Sequence, residues 1–271
     1  MKPVLYFHLF CGWTVLWAAF EFSGQTPYSA AVGGLPLAGD YGASGFWDNP
    51  ALSANTNGIQ GQFAYVVPYS LRELSLGSAV ILAPIGNFYA GLGLSSMGNN
   101  LYRENRLAVN LSRTFFQGRF FVGLTIQGYL ISVVRYGHQS TWGMDMGFRY
   151  QLTDGIALAG AISNINQPRL AGHSEEIPQA VRIGALIRPL ETVGFHLSLE
   201  KDAWFDPQIA LGMEYRLTPH FTLLSGFRSE GSQPSGGIQL LWNQIEITYS
   251  LQYHFELGAT HLMGVVITGR P

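Results

Sequence analysis

Residues 207–254 read PQIALGMEYRLTPHFTLLSGFRSEGSQPSGGIQLLWNQIEITYSLQYH, and their alternation decides the fold. Ile209, Leu211, Met213 and Tyr215 share one face of an extended chain; Ala210, Gly212, Glu214 and Arg216 share the other. Ile245, Ile247, Tyr249, Leu251 and Tyr253 likewise oppose Glu246, Thr248, Ser250, Gln252 and His254. A period of two means a strand with one apolar and one polar face. Segments of about ten residues, separated by turn residues, have the length of membrane-spanning strands.

The same unit recurs along the chain. Strands are predicted at 59–68, 71–82, 88–98, 102–114, 119–133, 140–151, 156–166, 179–188, 193–201, 208–217, 221–229, 235–242, 244–254 and 260–268. The connections alternate in length. Starting from APIGN at 83–87, every second one is a tight turn, and the others are mostly longer, up to the loop at 167–178. Outer-membrane barrels have short periplasmic turns and longer external loops. Fourteen strands also place both chain ends on one side, read as the periplasmic one. A water-soluble sandwich would alternate too. Charged residues at only 12% argue against it, since soluble domains carry about twice that share. Backbone groups cannot stay unpaired in lipid, so the sheet must close. The expected fold is all-β: a transmembrane antiparallel β-barrel of about fourteen strands at 59–271, preceded by a plug.

Lys2 followed by the apolar run Val4–Phe20 reads as a secretory signal peptide, assigned to 1–25, the alternative being an N-terminal membrane anchor; together with the barrel pattern it places the chain in the outer membrane of a Gram-negative-type bacterium. The single cysteine, Cys11, lies in it, leaving no thiol chemistry for the remainder. Residues 26–58 are rich in Gly, Ala, Ser and Asn, show no period, and exceed an ordinary connection in length. They are the expected plug or hatch. Phe46 and Trp47 are suited to anchoring it on a wall, and Asn49 before Pro50 to turning it.

This segment, from Gly33-Gly34-Leu35-Pro36-Leu37-Ala38 through Ser44-Gly45-Phe46-Trp47 to Asn49-Pro50-Ala51-Leu52-Ser53, resembles the FadL-type outer-membrane transporters and their PorV/PorQ-like relatives. His254–Leu262 is similar to the last hairpin of the PorV/PorQ-like branch. The resemblance implies an N-terminal hatch inside the barrel, with Phe46, Trp47, Asn49 and Pro50 in that role. It also implies passage of a small, hydrophobic molecule; the alternative is an accessory barrel with a secretion-complex protein as partner. The chain is short for FadL-type transporters, and Ile267-Thr268-Gly269-Arg270-Pro271 lacks their usual terminal aromatic.

Arg106, Asp145, Arg149, Arg182, Arg188, His196, Glu200, Glu214, Arg216, Arg228 and Glu246 fall on polar strand faces and are the expected lumen lining. Their mixed signs suit an internal pairing network or a selectivity lining. Tyr65, Tyr69, Tyr89, Tyr102, Phe115, Tyr150, Trp204, Phe205, Trp242 and Tyr253 are candidate interfacial girdles. A net charge of -2 offers no field for nucleic acid. The sequence has no Gly-x-Ser-x-Gly elbow, phosphate loop or His-Glu-x-x-His pair. No catalytic, metal or cofactor site is therefore expected. Gly172-His173-Ser174-Glu175-Glu176 reads as a solvated loop, and an outer-membrane lipid hydrolase is the remote alternative.

Overall fold

A computed structural model describes residues 20, 25–56, 58–170, 176–203 and 205–269. The segment expected to be a signal peptide therefore lies outside the described residues except for Phe20 and Gln25. His173, Ser174 and Trp204 lie outside them too.

Fourteen strands follow the N-terminal segment. They are β1 (Gln60–Val67), β2 (Leu76–Ile85), β3 (Phe88–Gly98), β4 (Tyr102–Phe115), β5 (Phe120–Val133), β6 (Gly137–Thr153) and β7 (Ile156–Ser163). Then come β8 (Ala180–Leu190), β9 (Val193–Asp202), β10 (Gln208–Thr218), β11 (Phe221–Arg228), β12 (Gln233–Trp242), β13 (Ile245–His254) and β14 (Gly258–Thr268). Each pairs antiparallel with its neighbours in sequence, and β1 pairs with β14 from Gln60↔Thr268 to Val67↔His261. The sheet thus closes and has no free edge.

The faces sort as the alternation requires. Leu211, Met213, Ile247 and Leu251 are exposed, whereas Thr248 and Gln252 are buried. Apolar side chains that would be a liability in water form the outer band of a barrel in lipid. The end of the barrel that receives residue 59 and releases residue 269 is called here the terminal end, and the opposite one the distal end.

The largest boundary difference is at β2. The sequence pattern starts it at residue 71, but the strand begins at Leu76. Pro68–Ser70 and Arg72–Leu74 form two 3-10 turns instead, closed by Leu71 N–H to Pro68 O (2.8 Å) and Ser75 N–H to Arg72 O (3.1 Å). Pro68 has no N–H to offer a ladder, and Tyr69 turns the chain at φ 50°. The girdle reading also needs correction. Tyr102 shares the inward parity of Glu104 and donates its hydroxyl to it (2.6 Å), and Tyr89 packs inward with Ala51, Ala54 and Phe121. Strand-end position alone did not reveal their face.

Candidate functional site: the plugged lumen

The lumen holds the chain's own N-terminal segment. Thr26 is extended and caps α1 (Pro27–Ala31), its Oγ1 accepting from Ser29 N–H at 3.2 Å and donating to Ser44 O at 3.1 Å. Pro27 opens the helix, where a missing N–H costs nothing. Gly33 and Gly34, at φ 88° and 89°, then reverse the chain. After an excursion to Asp40 at the terminal end, it returns through 3-10 turns at Gly42–Gly45 and Pro50–Ala54. Residues 26–39 and 42–54 are buried throughout.

Asn49 is the pin of this segment. Its Oδ1 accepts from Ala51 N–H (3.0 Å), capping the second 3-10 turn. Its Nδ2 donates to Leu37 O within the plug (3.0 Å) and to Phe148 O on the wall (3.1 Å). Pro50 follows at the first position of that turn, and its carbonyl accepts from Asn110 on β4.

Inward-facing glycines let the plug backbone approach the wall this closely. A Cβ at Gly123 would lie 2.2 Å from Pro50 O, and one at Gly147 2.0 Å from Asn49 Oδ1. On the opposite side, a Cβ at Gly226 would lie 2.2 Å from Gly33 N and one at Gly212 2.5 Å from Val32 O. No side chain fits such gaps, so the wall and plug are complementary at backbone level.

Phe46 and Trp47 meet edge to face, with centroids 4.9 Å apart, and pack with Ala43, Val80, Leu82, Ala108 and Val266. A Cβ at Gly93 would strike the Phe46 ring at 2.4 Å. Arg106 lies over Trp47, its guanidinium carbon 4.6 Å from the ring centre. Arg106 Nε also donates to Gln127 Oε1 (2.5 Å), and the guanidinium lies 3.8 Å from Asp145.

The inner wall is divided in two. From β14 through β1 to β2 it is uncharged and mainly apolar, with Leu262, Val266, Ala64, Val66, Leu76, Val80 and Leu82 buried alongside Gln62, Ser78 and Thr260. On the outer side of the adjoining wall, a cleft of about 750 Å³ is lined by Phe63, Gly77, Ala79, Leu94, Leu107 and Gly128. From β4 to β11 the inner wall carries the charges.

Those charges are paired. Arg182 and Arg228 both hold Glu200, and Arg228 also reaches Glu230 at 3.1 Å. Arg188 bridges Glu214 (3.0 Å) and Asp40 (2.8 Å), and Asp40 also binds Arg149 at 2.5 Å. Tyr28 donates to Glu214 (2.6 Å), and the Tyr41 hydroxyl lies 2.9 Å from His196 Nε2. A carboxylate in this setting keeps its charge only because a cation and hydrogen-bond donors replace water.

The structure thus gathers Phe46, Trp47, Asn49 and Pro50 in the plug core. It puts Arg106, Asp145, Arg149, Arg182, Arg188, His196, Glu200, Glu214 and Arg228 on the inner wall in polar networks. Glu246 is half-buried beside Gln239, and Arg216 is exposed near the end of β10. The sequence reading did not single out Tyr28, Asp40, Tyr41 or Asp48, the plug's own polar contacts. They carry no period; the wall partners of Tyr28, Asp40 and Tyr41 are more than a hundred residues away, and Asp48 is tied to Ser29 within the plug. The wall glycines had a readable signal: they fall on the inward parity of their strands. Among the described residues no group of His, Cys, Asp and Glu is arranged to hold a metal ion.

No protein-family model and no curated protein matches the sequence. Solved structures do match its fold. The CymD monoaromatic hydrocarbon channel superposes with a TM-score of 0.71 at 12% identity, over 93% of this chain and 100% of that one. The toluene transporter TbuX of Ralstonia pickettii gives 0.65 at 12% identity, over 91% and 98%. A FadL homologue of Pseudomonas aeruginosa gives 0.60 at 12% identity, over 89% and 96%. Identities this low speak for a shared fold.

Proposed function

We propose that the chain is a FadL-type outer-membrane channel in which the N-terminal plug restricts passage to small, apolar molecules. The observation that carries this reading is the plug itself. Barrels of about eight strands are filled by their side chains, so fourteen leave a lumen. Here residues 26–39 and 42–54 are buried inside the barrel, and in this reading they deny water and ions a continuous path. The inner sector at β14–β2 is free of charged side chains among the described residues, and the outer cleft, which runs from β1 to β6, meets it at β1–β2; an uncharged sector suits an apolar permeant better than a charged one. The fold match to channels for monoaromatic hydrocarbons and toluene supports the same substrate class.

In this reading the terminal end is periplasmic, because the turns there are the short ones. The Asn-Pro-Ala segment and the last hairpin ally the chain with the PorV/PorQ-like branch. Deleting Thr26–Ala54 tests the proposal. The assembled deletion barrel should show raised ion conductance in a planar bilayer. Unchanged conductance would place the barrier elsewhere and favour an export-accessory role.

A further inference from the structure

Between the wedge at Trp47 and the pin at Asn49 sits a carboxylic acid with half of its hydrogen bonding missing. Asp48 is 9% exposed. Its Oδ1 accepts from Ser29 Oγ at 3.0 Å, which ties the Asn-Pro turn to α1. Its Oδ2 is buried with no hydrogen-bond partner among the described residues. The groups whose charge it feels are Arg182 on β8 and Glu200 on β9. Arg182 is held by Glu200 and also donates to Ser163 Oγ, and Glu200 is shared with Arg228. The cation whose charge acts on it is thus committed to another anion, and that anion repels a second one.

We propose that Asp48 is a proton site that sets the seating of the plug: protonated, it is compatible with the closed seat, and ionised, it loosens it. The inference rests on the plug reading above and adds a control to it. A buried carboxylate with one hydroxyl donor and no ion pair is costly as an anion and tolerable as an acid. Burial pushes its pKa from 3.8 up to about 7, against the smaller lowering effects of Ser29 and Arg182. In a loosened plug the side chain meets water and titrates near its ordinary value. The seated form therefore binds the extra proton between those two limits. Seating is strongest below about pH 4, weakens as pH rises through the window, and stops changing above about 7. Charge appears beside the turn that carries both Trp47 and Asn49, so the two principal contacts of the plug are disturbed together.

The test is planar-bilayer conductance of the full barrel from pH 5 to 8, with the Asp48→Asn variant and the Thr26–Ala54 deletion alongside. The ratio of open to closed dwell times of the wild type should rise up to about tenfold per unit between pH 5 and 7 and level off above. Asp48→Asn should stay at the low-pH value throughout. The deletion should conduct at all pH values. A wild type that does not respond to pH, beside a conducting deletion, would overturn the Asp48 proposal and leave the plug reading standing. A pH response retained in Asp48→Asn would overturn it equally. A deletion no more conductive than the wild type would remove both.

Discussion

Trp47, on the plug, and Arg106, on β4, form the tightest aromatic–cation contact across the plug–wall boundary, at 4.6 Å from guanidinium carbon to ring centre. Arg106 is only 8% exposed and is turned by Gln127 and Asp145 so that its guanidinium lies over the ring. The contact joins an apolar wedge to a charged wall at the border between the two halves of the lumen.

Trp47→Ala should therefore loosen the plug without preventing barrel assembly. The lost packing is worth about 3–5 kcal/mol, and a buried cation–π contact adds about 2. The expected result is a barrel that still migrates as a folded species in unheated electrophoresis but flickers open in bilayer recordings. Arg106→Lys keeps the charge and loses the flat stacking face, so it should show a weaker form of the same flicker. A Trp47→Ala barrel as quiet as the wild type would show that the wedge does not hold the seat.

Asp40 joins the plug to two strands at once, through Arg149 on β6 and Arg188 on β8. Arg149 is almost fully buried, so it depends on that carboxylate. Asp40→Ala should weaken seating by about 1.5–3 kcal/mol, the worth of hydrogen bonds to charged groups. Cysteine labelling at position 43, buried in the wild type, reports it: the second variant should label faster than the parent carrying the cysteine alone. Equal labelling rates would mean that Asp40 is a bystander.

The wall glycines give a sharper steric test. Gly123→Val places methyl groups where Pro50 O now lies, and Gly147→Val does the same at Asn49. Gly61, whose Cβ would meet nothing within 4 Å, is the control. The first two should displace the plug and raise conductance, while Gly61→Val should not. Indifference at both sites would argue that the plug does not seat on the glycines.

The strand pattern was legible because lipid enforces it: a residue on the wrong face costs kilocalories, so Leu211, Ile247 and Leu251 could be assigned from alternation alone. The inner faces of β1 and β2 were less so, because Ala64, Val66, Val80 and Leu82 make both faces apolar and blur the contrast. The plug was recognisable as a segment with no period but not as a set of contacts. Asn49 and Trp47 stood out through their neighbours in sequence. Asp40 and Tyr28 matter through Arg149, Arg188 and Glu214, which the barrel closure brings to them, and Asp48 through the Ser29 hydroxyl, which the folding of the plug brings to it.

Ile247→Arg checks the register of the wall. Ile247 is exposed on β13 between the half-buried Glu246 and the buried Thr248. An arginine there should destabilise the barrel by about 2–4 kcal/mol if it lies at mid-membrane depth, whereas Thr248→Ser should cost under about 1. Urea unfolding in lipid vesicles measures both. A reversed order would invert the faces.

In the proposed function the seated plug excludes ions and water-soluble molecules while the barrel passes small apolar ones. This is tested most directly by uptake of toluene and of a similarly sized charged aromatic, benzoate. The cells should have an outer membrane that excludes both, and express either the full chain or the Thr26–Ala54 deletion. The full chain should admit toluene and not benzoate, and the deletion should admit both. A full chain that admits neither above the level of cells lacking the protein, or both equally, would contradict it.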